Sequence, residues 1–243
     1  MSIDVVDLRN FYAQQLGSVA RRFVGRGVRK RFADTRGMRV LGIGYPIPYL
    51  GLFREEAERC TAFMPAAQGV VKWPTDRPGL VALVDDLELP LTDAAVDRVL
   101  LVHALEMVQD PVALLREVWR VLAPSGRLLI VVPNRRGVWA RLDTTPFGYG
   151  RPYSRSQITQ LLRDAWFTPT DWSEALHVPP LGRSWLLRSA AAWERAGATV
   201  AAPFAGVHIV EATKQVYRAI PLRRERTRLM PALQPALSAS PST

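Results

Sequence analysis

The sequence predicts an α/β fold with a mostly parallel sheet and helices on both faces. Short runs of valine, leucine and isoleucine alternate with segments in which apolar residues recur every three or four positions. Glycine and proline bound several of these runs, as at residues 124–126 and 133–134. Strands that alternate with helices are typical of parallel sheets, because each crossover helix packs back on the sheet. A length of 243 residues suits one such domain without disulfides or structural metals.

The expected elements follow one another along the chain. A first helix over residues 8–24 carries an apolar stripe, and Gly25 and Gly27 are expected to end it. The expected strands cover residues 38–43, 61–64, 80–84, 96–103, 126–132, 167–175 and 206–212. The later helices are expected at residues 48–59, 112–122, 156–165 and 185–196. The expected organisation is a basic amphipathic helical segment (1–36), a main domain (37–222) and a flexible, basic and proline-rich tail (223–243).

The positive charge of the chain comes almost entirely from arginine. The formal net charge is +10, and the only lysines are Lys30, Lys72 and Lys214. The planar guanidinium suits carboxylates and phosphates, so the arginine-rich surface indicates an acidic protein partner, although a codon bias explains the composition equally well. The arginines of residues 21–31 fit a membrane-surface or nucleic-acid segment. They also fit a helix that covers the sheet edge and a cofactor site, which is the interpretation we favour.

Cysteine and histidine usage excludes several kinds of site. A single cysteine, Cys60, excludes an intramolecular disulfide and a cysteine-based zinc cluster. The three histidines are far apart in the sequence, so no metal site is expected. No stretch approaches the roughly 20 apolar residues of a membrane span, and the first residues do not resemble a signal peptide. We therefore expect a cytoplasmic protein without a membrane span.

One continuous segment carries the most specific pattern. Residues 84–91 read Val-Asp-Asp-Leu-Glu-Leu-Pro-Leu, Asp97 opens the following strand, and His103 ends it. After the next helix, residues 120–126 read Arg-Val-Leu-Ala-Pro-Ser-Gly. This order of motifs closely resembles the type 11 branch of class I S-adenosylmethionine (SAM) dependent methyltransferases, which includes quinone-biosynthesis methyltransferases. The resemblance covers residues 37–135 well and residues 136–215 loosely.

The resemblance implies a Rossmann-like methyltransferase fold with a seven-stranded sheet. It also implies SAM as cofactor and S-adenosylhomocysteine as product, with the cofactor at the carboxyl ends of the strands. Asp85 would accept a hydrogen bond from the adenine amino group, while Asp86 and Leu87 would offer backbone N–H groups and an apolar contact. The alternative for Asp85 is an acidic residue that stabilises a turn.

His103 is the candidate catalytic residue and a candidate cofactor contact. In the family this position borders the methyl-transfer cavity, where a histidine can orient the acceptor or take a proton. A hydrogen-bonded structural histidine is an equal alternative. Glu106 is expected to cap or brace the loop that follows.

The first motif of the family is degenerate here. Gly42 stands where the family has an acidic residue, Gly44 is kept, and Pro46 and Pro48 replace later glycines. We expect Gly42, Gly44, Tyr45 and Pro46 to form the cofactor turn, with Gly44 at the point of closest approach. Gly44→Val is accordingly expected to abolish SAM binding and to leave the fold largely intact.

The second motif lacks the family's ribose-binding acid. The second strand ends at Met64, which is expected to border the cofactor, and at Pro65. The loss of two charged hydrogen bonds would cost about 3–6 kcal/mol of binding free energy. Tyr45, Thr61 and Gln68 are candidates to compensate.

The loop over residues 141–154 is the candidate substrate region. It is polar, aromatic and rich in glycine, and in this family it overhangs the methyl-transfer site. Asp143, Tyr149, Arg151 and Tyr153 are candidates for substrate contacts, and Arg151 suits a carboxylate or phosphate. The alternative is a structured connector.

Three functions remain open at this point. The leading hypothesis is a SAM-dependent methyltransferase acting on an unidentified small-molecule or protein acceptor. The first alternative is a catalytically weak or inactive methyltransferase-like protein that serves as a binding subunit. A nucleic-acid methyltransferase ranks last, because the sequence contains no Asn-Pro-Pro-Tyr run.

Overall fold

The computed structural model of the chain describes residues 3–200 and 204–216. The strands are β1 (Arg39–Gly44), β2 (Arg59–Pro65), β3 (Val81–Val84), β4 (Val96–Val102), β5 (Leu122–Pro133), β6 (Phe167–Ala175) and β7 (Val207–Lys214). The α-helices are α1 (Val5–Ala13), α2 (Gln15–Arg31), α3 (Ile47–Leu50), α4 (Pro111–Val121), α5 (Arg155–Asp164), α6 (Ser184–Arg188) and α7 (Ala190–Val200). The expected tail, residues 223–243, lies outside the described residues.

The strands form one sheet in the order β3-β2-β1-β4-β5-β7-β6. All neighbours pair in parallel except β7, which runs antiparallel to both β5 and β6. The predicted seven-stranded, mostly parallel α/β sheet is therefore confirmed. The strand order reverses between β1 and β4, and ligands of open α/β sheets bind in the crevice outside the carboxyl ends of the strands at such a point.

The sheet buries a separate apolar cluster on each face. One cluster joins α1 and α2 to residues such as Val40, Leu100 and Ile209. The other packs α4 and α5 on residues such as Leu41 and Val99. Alternate residues of β1 and β4 thus serve opposite faces, as a strand with two covered faces requires.

The N-terminal region differs from the expected single helix over residues 8–24. It forms two helices that break at Gln14, and α2 runs through Gly25 and Gly27 to Arg31. A Cβ at Gly27 would lie 2.4 Å from Ile209 Cδ1, so this glycine allows α2 to press against β7. The expectation that the glycines end the helix was wrong, because tertiary packing here outweighs their low helix propensity.

Two other helices differ from expectation. The helix expected over residues 48–59 is reduced to α3, and turns follow it as far as Ala57. The Glu56 carboxylate in these turns accepts hydrogen bonds from Arg29 and Thr35, which hold the segment against α2. The helix expected over residues 185–196 is divided into α6 and α7. No helix within residues 3–200 and 204–216 is long and apolar enough to cross a membrane.

Candidate functional site

The turn after β1 lies against the end of β4. Gly44 has φ +90°, and a Cβ at this position would lie 2.3 Å from the Val102 carbonyl oxygen and 2.8 Å from Ala104 Cβ. The close approach that requires glycine is thus to β4. The packing opposes the expectation that Gly44→Val would spare the fold, because both the positive φ and the clash disfavour a side chain.

The degenerate first motif has a packing explanation. Gly42 and Pro46 are buried, and a Cβ at Gly42 would lie 2.5 Å from two ring carbons of Pro46. A family-type acidic side chain cannot occupy this space. The Tyr45 N–H donates to the Val102 carbonyl at 2.7 Å, so this turn amide is already used within the protein.

Helix α1 lies over the carboxyl ends of β1, β2 and β4. The Tyr12 hydroxyl lies 2.9 Å from His103 Nε2 and 3.1 Å from the Tyr49 hydroxyl. The Tyr12 ring stacks on Tyr45 with 5.9 Å between centroids and 23° between planes. Phe11 contacts Phe147 edge to face at 6.2 Å. Aromatic side chains of α1 therefore fill the space next to the β1 turn.

Gln68, which follows β2, ties α1 to the sheet. Its backbone carbonyl accepts a hydrogen bond from the Val5 N–H at 2.9 Å. Its buried side-chain amide donates to the His103 carbonyl at 2.7 Å. The Gln68 side chain is therefore engaged in holding the crevice closed. Met64, expected beside the cofactor, is fully buried at the end of β2.

A buried polar pair lies beneath Tyr12. His103 has φ +50° and no solvent exposure, and its Nδ1 lies 3.3 Å from Glu106 Oε1 without hydrogen-bond geometry. Neither Glu106 carboxylate oxygen has a hydrogen-bond partner among the described residues. The expectation that Glu106 caps a loop holds only for its backbone carbonyl, which accepts from the Arg151 N–H at 2.8 Å. A buried carboxyl group without donors is unusual in a folded protein and requires an explanation.

Burial keeps the tyrosines of this cluster protonated. It raises the pKa of Tyr45 to about 12 and the pKa values of Tyr12 and Tyr49 well above their usual range. The three hydroxyls are therefore neutral at physiological pH. The Tyr12 hydroxyl can donate to His103 Nε2 when that nitrogen is unprotonated.

The predicted adenine-binding residues form a turn at the end of β3. Asp85 is exposed, and its carboxylate accepts a hydrogen bond from the Leu87 N–H at 2.9 Å. Leu87 is 45% exposed. Partial burial raises the pKa of Asp86. The alternative role for Asp85, an acid that stabilises its own turn, is present in the structure, and the turn also leaves an apolar side chain accessible.

The candidate substrate residues are divided between core and surface. The Tyr153 side chain is buried and its hydroxyl donates to the Leu105 carbonyl at 3.0 Å, while Tyr149 is half-buried against the core. Asp143 is exposed. Arg151 is exposed and lines a cavity of about 620 Å³ together with Arg135.

The Arg-Val-Leu motif has a structural role that is visible in the contacts of Arg120. The guanidinium donates to the carbonyl oxygens of Leu89 and Leu91 and to the carboxylates of Asp93 and Glu117. It therefore fixes the segment between β3 and β4 on α4. Bidentate geometry of this kind is specific to arginine.

The sequence interpretation missed the residues that fill the crevice. Phe11 and Tyr12 lie in the predicted apolar stripe of residues 8–24, and the stripe alone does not indicate that they fill the crevice. Two adjacent aromatic residues on one helix were the available signal, because one helix face cannot bury both of them against a flat sheet.

The central segment of the chain matches a known family. Residues 41–130 match the family described as a methyltransferase domain. A probable SAM-dependent methyltransferase of Mycobacterium tuberculosis is 38% identical over 96 residues, which cover 39% of this chain and 35% of the relative. A similarly described protein of Mycolicibacterium smegmatis is 36% identical over 92 residues, or 37% of this chain and 35% of the relative. The matched segment thus spans about a third of the length of these relatives.

Solved structures share the fold over a larger part of the chain. A SAM-dependent methyltransferase of Thermotoga maritima aligns with a TM-score of 0.62 at 17% identity and covers 87% of this chain and 96% of its own. A SAM-dependent methyltransferase of Archaeoglobus fulgidus aligns with a TM-score of 0.57 at 19% identity, and the alignment covers 79% of this chain and 93% of its own. At this identity the likeness establishes the fold.

Proposed function

We propose that the chain is a SAM-dependent methyltransferase, because residues 41–130 match the methyltransferase-domain family. Its acceptor is a small molecule or a protein that remains to be identified. The observation that carries the proposal is the family match in the part of the chain that forms β1 to β5. That segment includes the strand ends at which α/β sheets bind ligands.

His103 is the residue of this chain that best fits proton transfer from an acceptor. Its Nε2 already lies at hydrogen-bond distance from a hydroxyl group, that of Tyr12. Glu106 lies beside the other ring nitrogen and can orient the imidazole or balance its charge. An acceptor hydroxyl in place of the Tyr12 hydroxyl would therefore meet a base supported by a carboxylate.

Side chains fill part of the candidate cofactor crevice in the arrangement described. Tyr12, Tyr45 and Gln68 occupy the side next to β1 and β2, and the amide of Tyr45 is engaged with β4. The turn at Asp85–Leu87 remains accessible. Cofactor binding at this edge of the sheet therefore requires α1 to move away from the crevice.

The free energy of that movement is large. Val5, Leu8, Phe11 and Tyr12 of α1 are buried, and each such side chain contributes about 1.5–3 kcal/mol on burial. Such a sum is an upper bound, so we take its low end, about 6 kcal/mol. This free energy corresponds to a loss of roughly four orders of magnitude in the apparent affinity for SAM. Wild-type protein should bind SAM weakly unless another ligand displaces α1.

The filled crevice also favours a second candidate function. A methyltransferase fold whose cofactor site stays closed would act as a binding subunit. The two candidates differ in one observable property, which is whether the crevice accepts SAM once α1 is displaced.

Isothermal titration calorimetry with SAM and S-adenosylhomocysteine tests the proposal. Wild-type protein and a variant with a weakened α1 contact, Tyr12→Ala, should be titrated in parallel. Binding of these ligands by Tyr12→Ala supports the methyltransferase if the heat of binding disappears when Asp85→Ala is added. If neither protein binds at about 10 mM ligand, the methyltransferase proposal is contradicted and the binding subunit remains. This concentration is about ten-thousandfold above a micromolar intrinsic dissociation constant.

A further inference from the structure

A groove lies between α2 and the α3 turn, on the outside of the molecule. Its volume is about 980 Å³. Apolar groups form its floor, namely the backbone of Gly25 with Pro48 and the side chain of Leu52, which is 45% exposed.

The rim of the groove is strongly basic. It is lined by Arg21, Arg22, Arg26, Arg29 and Lys30. Arg29 is paired with Glu56. The other four pair with no acidic side chain in the part of the chain that the structure describes. Arg22 and Arg26 lie over the Phe23 ring, at 5.6 and 5.5 Å from its centroid, and this contact limits their motion.

We propose that this groove binds an acidic amphipathic helix of a protein partner, with apolar side chains on the floor and carboxylates on the basic rim. The proposal does not depend on methyltransferase activity. The basic residues span Arg21 to Lys30, about 14 Å of helix, which matches two to three turns of a partner helix packed alongside α2.

The observations favour a peptide over other acidic ligands. A nucleic-acid backbone would satisfy the rim but offers no apolar stripe for Leu52, and no exposed aromatic ring lines the groove for base stacking. A membrane is flat, and the apolar face of α2 cannot insert because Phe23, Val24 and Val28 are buried in the core.

The C-terminal residues of the chain itself do not complement the groove. Residues 217–243 contain five arginines and one glutamate, so their charge has the same sign as the rim. A separate acidic partner is the occupant that matches the charge.

Fluorescence anisotropy with a defined peptide tests the proposal. The probe is a labelled helix of about 18 residues with leucines at the i, i+3, i+4 and i+7 positions and glutamates elsewhere. A peptide of the same composition in scrambled order reports charge alone. We expect the ordered peptide to bind the full chain about tenfold more tightly than the scrambled one.

Two variants with one matched control locate the binding site. R22E/R26E should weaken binding of the ordered peptide by about tenfold or more. R163E/R188E changes the net charge equally at exposed positions outside the groove and should leave the affinity within about threefold. Leu52→Asp removes an exposed floor contact, so it should weaken the ordered peptide while the melting temperature stays at the wild-type value.

Four outcomes overturn the proposal. The first is equal binding of ordered and scrambled peptides, and the second is no binding of the ordered peptide at physiological salt. The third is tighter binding of single-stranded poly(U) that is insensitive to Leu52→Asp. The fourth is adsorption to phosphatidylglycerol vesicles that is stronger than peptide binding. The last two would identify the groove as a nucleic-acid or membrane surface.

Discussion

Removal of the Tyr12 side chain should open the candidate cofactor crevice. In the closed arrangement the Tyr12 ring stacks on Tyr45, and its hydroxyl lies within hydrogen-bond distance of both His103 and Tyr49. Tyr12→Ala therefore removes the contact that most directly fills the space beside the β1 turn. Phe11→Ala removes the neighbouring contact with Phe147.

The magnitude follows from the buried groups. Truncation of a buried aromatic side chain lowers stability by about 3–5 kcal/mol. If about 3 kcal/mol of this is lost from the docking of α1, the population of the open form rises roughly a hundredfold, and the apparent Kd for SAM falls by the same factor. The double variant Phe11→Ala/Tyr12→Ala should gain further affinity, but less than a second hundredfold, because Val5 and Leu8 still hold α1.

Calorimetric titration measures the affinity, and amide hydrogen exchange of α1 measures the opening. Leu162→Ala is the matched control, because Leu162 is buried in the cluster on the other face of the sheet. It should lower stability by about 2–5 kcal/mol without tighter SAM binding. The reasoning is refuted if Tyr12→Ala shows faster exchange in α1 but no gain in SAM affinity. Micromolar binding by wild-type protein with α1 still protected would refute it equally.

Three further predictions concern the same fold. Gly44→Val should lower the melting temperature strongly, because its Cβ would lie 2.3 Å from the Val102 carbonyl oxygen; a wild-type thermal unfolding curve would contradict the packing argument. Asp85→Ala should weaken SAM binding about tenfold in the Tyr12→Ala background, on the scale of one charged hydrogen bond, and an unchanged Kd would leave Asp85 only its bond to the Leu87 amide. Burial lowers the pKa of His208 to about 4, below its value of about 6.5 in the unfolded chain. Its contribution to stability is therefore complete above about pH 6.5 and is lost as the pH falls towards 4. Urea unfolding measures the free energy of unfolding at about pH 7 and about pH 5. The decrease in this free energy between the two pH values should be smaller for His208→Phe than for wild-type protein. An equal decrease would exclude His208 as the source of the pH dependence.

The sheet could be predicted from the sequence because its signals are local. The run from Val99 to Val102 is apolar and fully buried, and its strand lies at the centre of the sheet with both faces covered. The turn chemistry at the end of β5 was equally visible. Family motifs added the number of strands, and Arg120 shows why one of these motifs exists, since its guanidinium joins α4 to the segment before β4.

The N-terminal helices could not be predicted in the same way. Gly27 indicates a helix end when only its neighbours in the sequence are considered. In the structure it allows α2 to pack against β7, which lies about 180 residues later in the chain. The candidate site also depends on contacts between residues that are distant in the sequence. His103 was correctly placed at the end of β4, but its partner Tyr12 comes from a helix whose docking position no local pattern reveals.

The departures from the family pattern belong together as one structural adaptation. Pro46 packs where the family acid of the first motif would be, over Gly42. Gln68 follows a β2 strand that lacks its ribose-binding acid, and it bonds α1 through its carbonyl and β4 through its amide.

Tyr45, in the same degenerate motif, provides the surface on which Tyr12 stacks. Tyr45 and Gln68 thus contact α1 directly, whereas Pro46 fills the space over Gly42. We therefore expect SAM binding at this site to depend on displacement of α1, which the Tyr12→Ala titration measures.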